Sequence, residues 1–415
     1  MDGARTRGHA PALGAIGGMV RGGAPHAILL SGPGGVGKTT LAMDLAAGLL
    51  CVHPDVAARP CRDCRACRLL DHDDHPDLHR LAPEGPGGQI VIGGRDAKVR
   101  GVRDLIGELV LLPLEGGARV AIVESAHRMN PDAQAAMLKT LEEPPADTTI
   151  VLCADDEDRL LPTVRSRCAR IRLGPVGVRD IEAILAEHGV ADPPLAARLA
   201  RIAAGRPGVA IAYARAPEAV RARVELARTL LDLLDARPAR RLVAMREALP
   251  IAIAMSAALE AAATPPAGAD DAAGGPRSTR GARRSSRGAA ATRAPAPTPT
   301  EDEPGPDVPE EEPVEPAVGR AIPAPLRRKA AEMLVSVWTD VARDLALAGA
   351  GGARSVRDPD LIEELSAAAA DLPAGAAAAA LGSTERAAML LAANASPELV
   401  LDVLALDWPR RRRAA

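Results

Sequence analysis

The chain has 415 residues, 47% of them hydrophobic and 25% charged, with a net charge of −3 at pH 7. This length has room for two or three domains, and the composition is that of an ordinary globular protein. The near-neutral charge argues against a broad DNA-binding face. The chain has no Phe, one Tyr and two Trp, so base stacking is excluded as a main mode of nucleic-acid binding.

The sequence shows no targeting signal that would direct the protein away from the cytoplasm. No apolar run approaches the roughly 18 residues that a membrane-spanning helix needs. The first residues, Met-Asp-Gly-Ala-Arg, lack the apolar segment of a secretory signal. We therefore expect a cytoplasmic protein without a membrane span.

Short apolar runs alternate with helical patterns between about residues 24 and 173. The strand-like runs are Ala27–Leu30, Ile90–Ile92, Val120–Val123 and Ile150–Leu152. Such alternation is typical of a doubly wound α/β domain with a parallel sheet. The sequence predicts one such domain over residues 1–175.

A complete phosphate-binding loop follows the first run. It matches the pattern G-x-x-x-x-G-K-[ST] between a strand and a helix. Its residues are Gly32, Pro33, Gly34, Gly35, Val36, Gly37, Lys38, Thr39 and Thr40. The glycines let N–H groups turn toward phosphates, Lys38 supplies positive charge, and Thr39 can bind Mg²⁺. The pattern predicts a nucleoside triphosphate site, and a Gly-rich turn that only packs is the alternative.

Four of the six cysteines lie close together. Their positions are Cys51, Cys61, Cys64 and Cys67. Cys-x₂-Cys steps suit tetrahedral Zn²⁺, and a reducing cytoplasm makes disulfides a poor alternative. Iron–sulfur ligation is the main rival, although the expected further Cys followed by Pro is missing. Four thiolates leave no open position, so the zinc would be structural; the Asp-His-Asp-Asp-His run at 71–75 is interpreted as a solvated loop, although it could add ligands.

An acidic residue follows the run Val120–Val123, where P-loop ATPases place a carboxylate for Mg²⁺. Glu124 can take this role. ATPases often have a second acid next to it that activates water, but here that position is Ser125, which cannot act as a general base in the way a carboxylate does.

A further candidate lies after the run Ile150–Leu152, where Arg167 stands between Ser166 and Cys168. An arginine on a surface edge could reach the phosphates of a neighbouring subunit, because a planar guanidinium stabilises transition-state charge. A lone arginine is more often solvated or paired locally. This role therefore depends on the surrounding pattern.

The remainder of the chain changes character twice. Residues 176–262 have helical spacing and predict a small helical domain. Residues 263–323 are rich in Ala, Pro, Gly, Ser and Thr, with a basic block followed by an acidic one, and predict a disordered linker. Helical spacing resumes over 324–415 and predicts a third, all-helical domain.

Together these segments resemble the clamp-loader branch of the AAA+ ATPases. The resemblance depends on the P-loop with the preceding His26–Leu30, on the four cysteines, on Leu138–Pro145, and on Ser166–Cys168. It implies an AAA+ domain with a zinc module inserted at 51–67. It also implies that the two helical domains are a lid and a collar through which five subunits associate.

The resemblance also implies a division of labour. In this family the Ser-Arg-Cys arginine acts in trans on the ATP of the adjacent subunit, which assigns Arg167 as an arginine finger. The motor subunits, called gamma or tau, usually have Asp-Glu where this chain has Glu124 and Ser125. They also have Thr or Ser near Ala154 and a lid Arg near Gly208, and their N-terminal segment is not evident before Ala24.

The expected function is therefore that of a stator. Such a subunit would bind ATP with Mg²⁺ at Thr39 and Glu124, hydrolyse it poorly, and present Arg167 to its neighbour. Its partners would be gamma or tau and delta in a hetero-pentamer that places the sliding clamp on primed DNA. The alternatives are an active gamma/tau-type ATPase and an unrelated P-loop enzyme such as a nucleotide kinase.

Overall fold

The computed structural model describes residues 1, 3–84, 88–94, 98–115, 117–263 and 323–412. A five-stranded parallel sheet organises the N-terminal part, in the order β2-β3-β4-β1-β5. Its strands are β1 Ala27–Ser31, β2 Leu78–Leu81, β3 Arg119–Val123, β4 Thr148–Ala154 and β5 Ala169–Arg172. The three central strands are buried throughout. A parallel sheet buried in this way confirms the predicted α/β class.

The two faces of the sheet contribute to different cores. On β1, Ile28 and Leu30 join one apolar cluster while Ala27 and Leu29 join the other. This alternation is the two-residue period of a strand. Because both faces are covered, the phosphate-binding loop begins from a rigid strand end.

One predicted strand is wrong. Ile90–Ile92 forms no strand, and Ile90 makes only an isolated bridge with Met129. The edge strand is Leu78–Leu81 instead, where only Leu81 is fully buried. Its interior positions carry His and Arg because an edge strand is half exposed, so it has no continuous apolar run to detect. The polar β5 escaped prediction for the same reason.

Six α-helices accompany the sheet within the described residues up to β5. They are α1 Ala10–Gly22, α2 Lys38–Leu50, α3 Arg65–Asp71, α4 Val102–Leu109, α5 Pro131–Glu142 and α6 Pro162–Arg165. The start of α5 follows the expected chemistry, since the Asn130 side chain accepts the Ala133 N–H at 2.8 Å and Pro131 occupies the first turn.

Helices alone follow β5 in the described residues. They are α7 Val178–Glu187, α8 Pro193–Ile202, α9 Pro207–Arg215, α10 Pro217–Asp232, α11 Pro238–Ala263, α12 Ala324–Gly349, α13 Ile362–Ala370, α14 Ala376–Ala392 and α15 Pro397–Asp407. Helices α11 and α12 pack against each other. Trp338 and Trp408 meet edge to face with ring centroids 5.5 Å apart. The predicted linker lies outside the described residues, apart from its two end positions.

The helix α11 corrects the expectation about membrane spans. With 26 residues and a mean hydropathy of 1.6 in its most apolar window, it is long and apolar enough to cross a membrane. Length and composition alone do not separate a span from a core helix, and α11 packs against α9, α10, α12 and α15. Its buried positions include Arg241, whose guanidinium lies inside this helical core.

Candidate nucleotide site and metal centre

The phosphate-binding loop joins the end of β1 to the start of α2, as predicted. Gly37 caps α2 with φ of 107°, a conformation that favours glycine. At Gly32, which has φ of 149°, a Cβ would lie 2.2 Å from the Leu173 carbonyl oxygen. Both glycines are therefore required by the path of the backbone.

The loop forms one wall of a cavity of about 490 Å³, a volume within the usual range for small-molecule sites. Gly34–Thr40 line it, whereas Gly32 and Pro33 do not. The opposite walls come from α7 and α9. A further wall is formed by residues 3–9, here called the N-terminal segment, through Arg5, Thr6 and Arg7. The sequence contained no signal that these residues would reach the loop.

Lys38 is already fully engaged in this cavity. Its Nζ donates to the carbonyl oxygens of Gly32 and Pro33, each at 2.7 Å, and forms an ion pair with Asp155 Oδ1 at 2.7 Å. An ammonium has three donors, so none remains. A phosphate must displace one of these oxygens before Lys38 can bind it.

Asp155 was missed in the sequence. The sequence analysis singled out Ala154, near which motor subunits have Thr or Ser. In the structure Ala154 is buried in β4, and the side chain that reaches the loop is that of Asp155. Its backbone N–H donates to His127 Nδ1 at 3.1 Å. The available signal was a polar residue directly after a buried strand, the position at which α/β proteins place ligand-binding groups.

The helix α9 begins directly on the phosphate-binding loop. The Gly208 N–H donates to the Gly35 carbonyl oxygen at 2.9 Å, and a Cβ on Gly208 would lie 3.2 Å from that oxygen. The arginines among the described cavity-lining residues are Arg5 and Arg7, and both come from the N-terminal segment. At Gly208 the cavity therefore meets backbone in place of a cationic side chain.

The structure does not bring Glu124 into the cavity, although Ser125 lines it. Arg80 on β2 forms an ion pair with Glu124, and its Nε donates to Oε1 at 2.9 Å. Burial acts to lower the pKa of Arg80, but the hydrogen bonds and charges of Glu124 and Asp73 together raise that pKa. A magnesium role for Glu124 beside Thr39 stays a prediction, and it requires this ion pair to open.

The four cysteines converge. Their sulfur atoms all lie within 4.8 Å of one another, and Cys51 Sγ is 3.6 Å from Cys61 Sγ and 3.9 Å from Cys64 Sγ. Tetrahedral zinc with Zn–S bonds of about 2.3 Å requires sulfur separations of about 3.8 Å. All four cysteines are free thiols. The cluster is thus compatible with zinc in number, ligand type and spacing.

Backbone groups favour the thiolate at Cys61, whereas burial raises the pKa of Cys51 and of Cys67. The N–H of Asp63 lowers the pKa of Cys61 to about 6, although burial acts to raise it. The N–H of Cys64 also donates to Cys61 Sγ, at 3.4 Å. The thiolate is the form that binds metal, so the turn favours the ligand form of Cys61 before any ion binds.

Arg167 lies just after α6, and its guanidinium forms an ion pair with Glu142 at the end of α5. Its Nη1 also donates to the Thr163 carbonyl oxygen at 2.9 Å. The side chain remains 34% exposed. Two separate motifs, Leu138–Pro145 and Ser166–Cys168, therefore meet at one surface ion pair.

Residues around this site are similar to known proteins. Residues 18–177 match the family model described as DNA polymerase III, delta subunit. Over 145 residues the chain is 44% identical to subunit delta′ of DNA polymerase III from Pseudomonas aeruginosa, a match that covers 35% of this chain and 42% of the relative. Over 187 residues it is 36% identical to subunit delta′ from Escherichia coli, which covers 45% and 54%.

A second kind of subunit also matches. Over 178 residues the chain is 34% identical to DNA polymerase III subunit tau of Salmonella typhimurium, which covers 42% of this chain and 26% of the relative. The chain thus spans about half or less of the length of these relatives. The region matched by the family model contains the phosphate-binding loop, the four cysteines and Arg167. Through this region the chain is similar to the delta-prime subunits of DNA polymerase III, and at lower identity to a tau subunit.

Proposed function

We propose that the protein is the stator, or delta-prime, subunit of a bacterial DNA polymerase III clamp loader, which helps to load the sliding clamp onto primed DNA. The observation that carries this proposal is a contrast within one cavity. The phosphate-binding loop is complete, yet Ser125 stands where a carboxylate would activate water. The loop lysine is also neutralised by Asp155. Such a site holds nucleotide and hydrolyses it poorly.

The other features have roles consistent with this proposal. ATP with Mg²⁺ would bind at Gly32–Thr40, with Thr39 and Glu124 as metal ligands. Zinc bound by the four cysteines would hold the inserted module together. Residues 176–262 would act as the lid and 324–415 as the collar. The protein would work in the cytoplasm within a hetero-pentamer of gamma or tau and delta subunits.

Arg167 would supply the one catalytic group that this subunit gives to the ring. Its guanidinium is partly exposed on a surface edge, pairs with the Glu142 carboxylate and donates to the Thr163 carbonyl oxygen. Exposed ion pairs of this kind contribute only about 0–1 kcal/mol. Arg167 could therefore leave Glu142 and bind the γ-phosphate of a neighbouring subunit at a small cost in free energy. In trans, such a finger accelerates phosphoryl transfer by about 10³–10⁵-fold.

The test is an ATPase assay of the full chain, alone and in the reconstituted clamp loader with clamp and primed DNA. Alone it should show negligible turnover. In the complex, Arg167→Ala should lower the rate by about 10³-fold. Its neighbour Arg165→Ala, which loses only a pair with Asp158, is the matched control and should leave the rate unchanged. Robust turnover by the isolated chain, abolished by Lys38→Ala, would instead establish the gamma/tau-type motor.

A further inference from the structure

The N-terminal segment reaches the nucleotide cavity by hydrogen bonding to one buried carboxylate. Asp44, in the middle of α2, is fully buried. It accepts the backbone N–H groups of Arg5 at 2.9 Å and Thr6 at 2.8 Å, and the Thr6 hydroxyl at 2.6 Å. The position of Arg5, Thr6 and Arg7 in the cavity wall therefore depends on the hydrogen bonds that Asp44 accepts.

The cation that pairs with Asp44 comes from the cysteine module. Arg62 lies between Cys61 and Cys64 and has φ of 59°, in the left-handed region. Its Nη2 forms an ion pair with Asp44. Its Nε also donates to the Gly3 carbonyl oxygen at 2.8 Å.

This arrangement makes the carboxylate sensitive to the module. A buried carboxylate whose cationic partner is removed keeps its desolvation cost and loses its compensation. Arg62 is the ion-pair partner of Asp44 among the described residues. A second contact strengthens the link, because Asp71 on α3 binds both Arg62, at 3.1 Å, and the Arg5 guanidinium, at 2.9 Å.

The helix α2 connects the same parts directly. Lys38 forms its first turn at the phosphate-binding loop, Asp44 lies midway, and the metal-ligand candidate Cys51 follows its last residue. The module is thus attached to the far end of the helix whose near end faces the phosphates. Two structural connections therefore link the module to the cavity: the helix α2 and the N-terminal segment.

We infer that Arg62 is a positioning residue that couples the cysteine module to the nucleotide cavity, by neutralising Asp44 and holding the N-terminal segment as a cavity wall. This inference rests on the proposed nucleotide and zinc binding. It gives the module a task beyond local folding: nucleotide affinity would depend on a module none of whose described residues lines the cavity.

The test compares Arg62→Ala with Arg68→Ala in the full chain. Arg68 is the residue after Cys67, but its side chain is 65% exposed and its Nη1 contacts Asp63 of the module and not Asp44 or the N-terminal segment. Fluorescent ADP binding, zinc content and hydrogen exchange of the Arg5 and Thr6 amides are measured. Arg62→Ala should weaken ADP binding about tenfold and speed exchange at both amides, with zinc retained. Arg68→Ala should match the wild type.

Two results overturn the inference. One is a folded Arg62→Ala chain that binds ADP with wild-type affinity. The other is equal weakening by Arg68→Ala. If Arg62→Ala does not fold, Arg62→Lys is the second variant. It keeps a positive charge, but its single nitrogen replaces the three guanidinium nitrogens that contact Gly3, Asp44 and Asp71. It should bind ADP more weakly than the wild type, and unchanged affinity overturns the inference. Failure of the proposed function has a different signature, because wild type and Lys38→Ala would then bind ADP equally poorly.

Discussion

At the residue scale, the phosphate-binding loop carries an internal competitor for its ligand. The Asp155 carboxylate is 2.7 Å from Lys38 Nζ, and a Cβ on Gly34 would lie 2.9 Å from Asp155 Oδ2. The carboxylate therefore faces both the lysine and the loop backbone. An incoming phosphate meets a negative charge where it needs a positive one, and the ion pair must open before it binds.

The variant Asp155→Asn tests this competition. Removal of the charge should tighten ADP binding in magnesium-free buffer, by about tenfold for loss of one charge-assisted contact. A titration with fluorescent ADP measures this change. Asp156→Asn is the control, since Asp156 only caps the following turn by accepting the Asp158 N–H at 3.0 Å. Weaker binding that occurs only with Mg²⁺ would show instead that Asp155 is a metal ligand.

The limits of sequence reasoning are clearest at these residues. The loop and the four cysteines were recognisable because each is a contiguous pattern with fixed spacing. The partners of Glu124 and Lys38 were not, because Arg80 comes from a polar edge strand without an apolar run and Asp155 from the end of another strand. Contacts between distant segments depend on strand order, which local periodicity does not specify.

At the element scale, the Arg167–Glu142 pair would set how readily Arg167 is released for its proposed role as a finger. Glu142→Gln should raise the ATPase rate of the reconstituted complex by at most about fivefold, because the exposed pair is worth no more than about 1 kcal/mol. Steady-state ATPase assays against wild type and Arg167→Ala measure it. The adjacent Glu143→Gln is the control and should have no effect. A large loss of rate with Glu142→Gln would mean that Glu142 orients the finger instead of restraining it.

The cysteine module gives a second prediction at this scale. Metal analysis of protein expressed in the cytoplasm should find about one zinc per chain, since four thiolates close the coordination shell. The double variant Cys64→Ser, Cys67→Ser should lose the metal and lower the melting temperature, because structural zinc supplies folding free energy. Cys168→Ala is the control, a thiol outside the cluster whose burial raises its pKa to about 11. A well-folded wild type without metal would contradict this assignment.

At the scale of the whole molecule, helices from both sides of the predicted linker share one core. The apolar cluster that includes Leu45 on α2 and Leu230 on α10 continues to Leu334 on α12 and Leu404 on α15. Helical spacing predicted these helices from the sequence. It did not predict that α11 and α12 would pack together, since spacing identifies the apolar face of a helix and not what covers it.

The guanidinium of Arg241 joins α11 to the end of α15 within this shared core, and its removal measures how much this contact adds to the free energy of unfolding. Arg241 is fully buried on α11 and donates to the carbonyl oxygens of Ala405, in the last turn of α15, at 3.1 Å and of Pro409, just beyond that helix, at 2.9 Å. Burial lowers its pKa, while helix-end carbonyls favour its charge.

Arg241→Ala leaves several buried carbonyls without donors and should cost about 3 kcal/mol in the free energy of unfolding. Arg240→Ala, which loses only an exposed pair with Glu247, should cost less than about 0.5 kcal/mol. Urea unfolding followed by Trp fluorescence measures both, because Trp408 lies beside these carbonyls. A wild-type midpoint for Arg241→Ala would show that α15 is held in place by its apolar contacts alone.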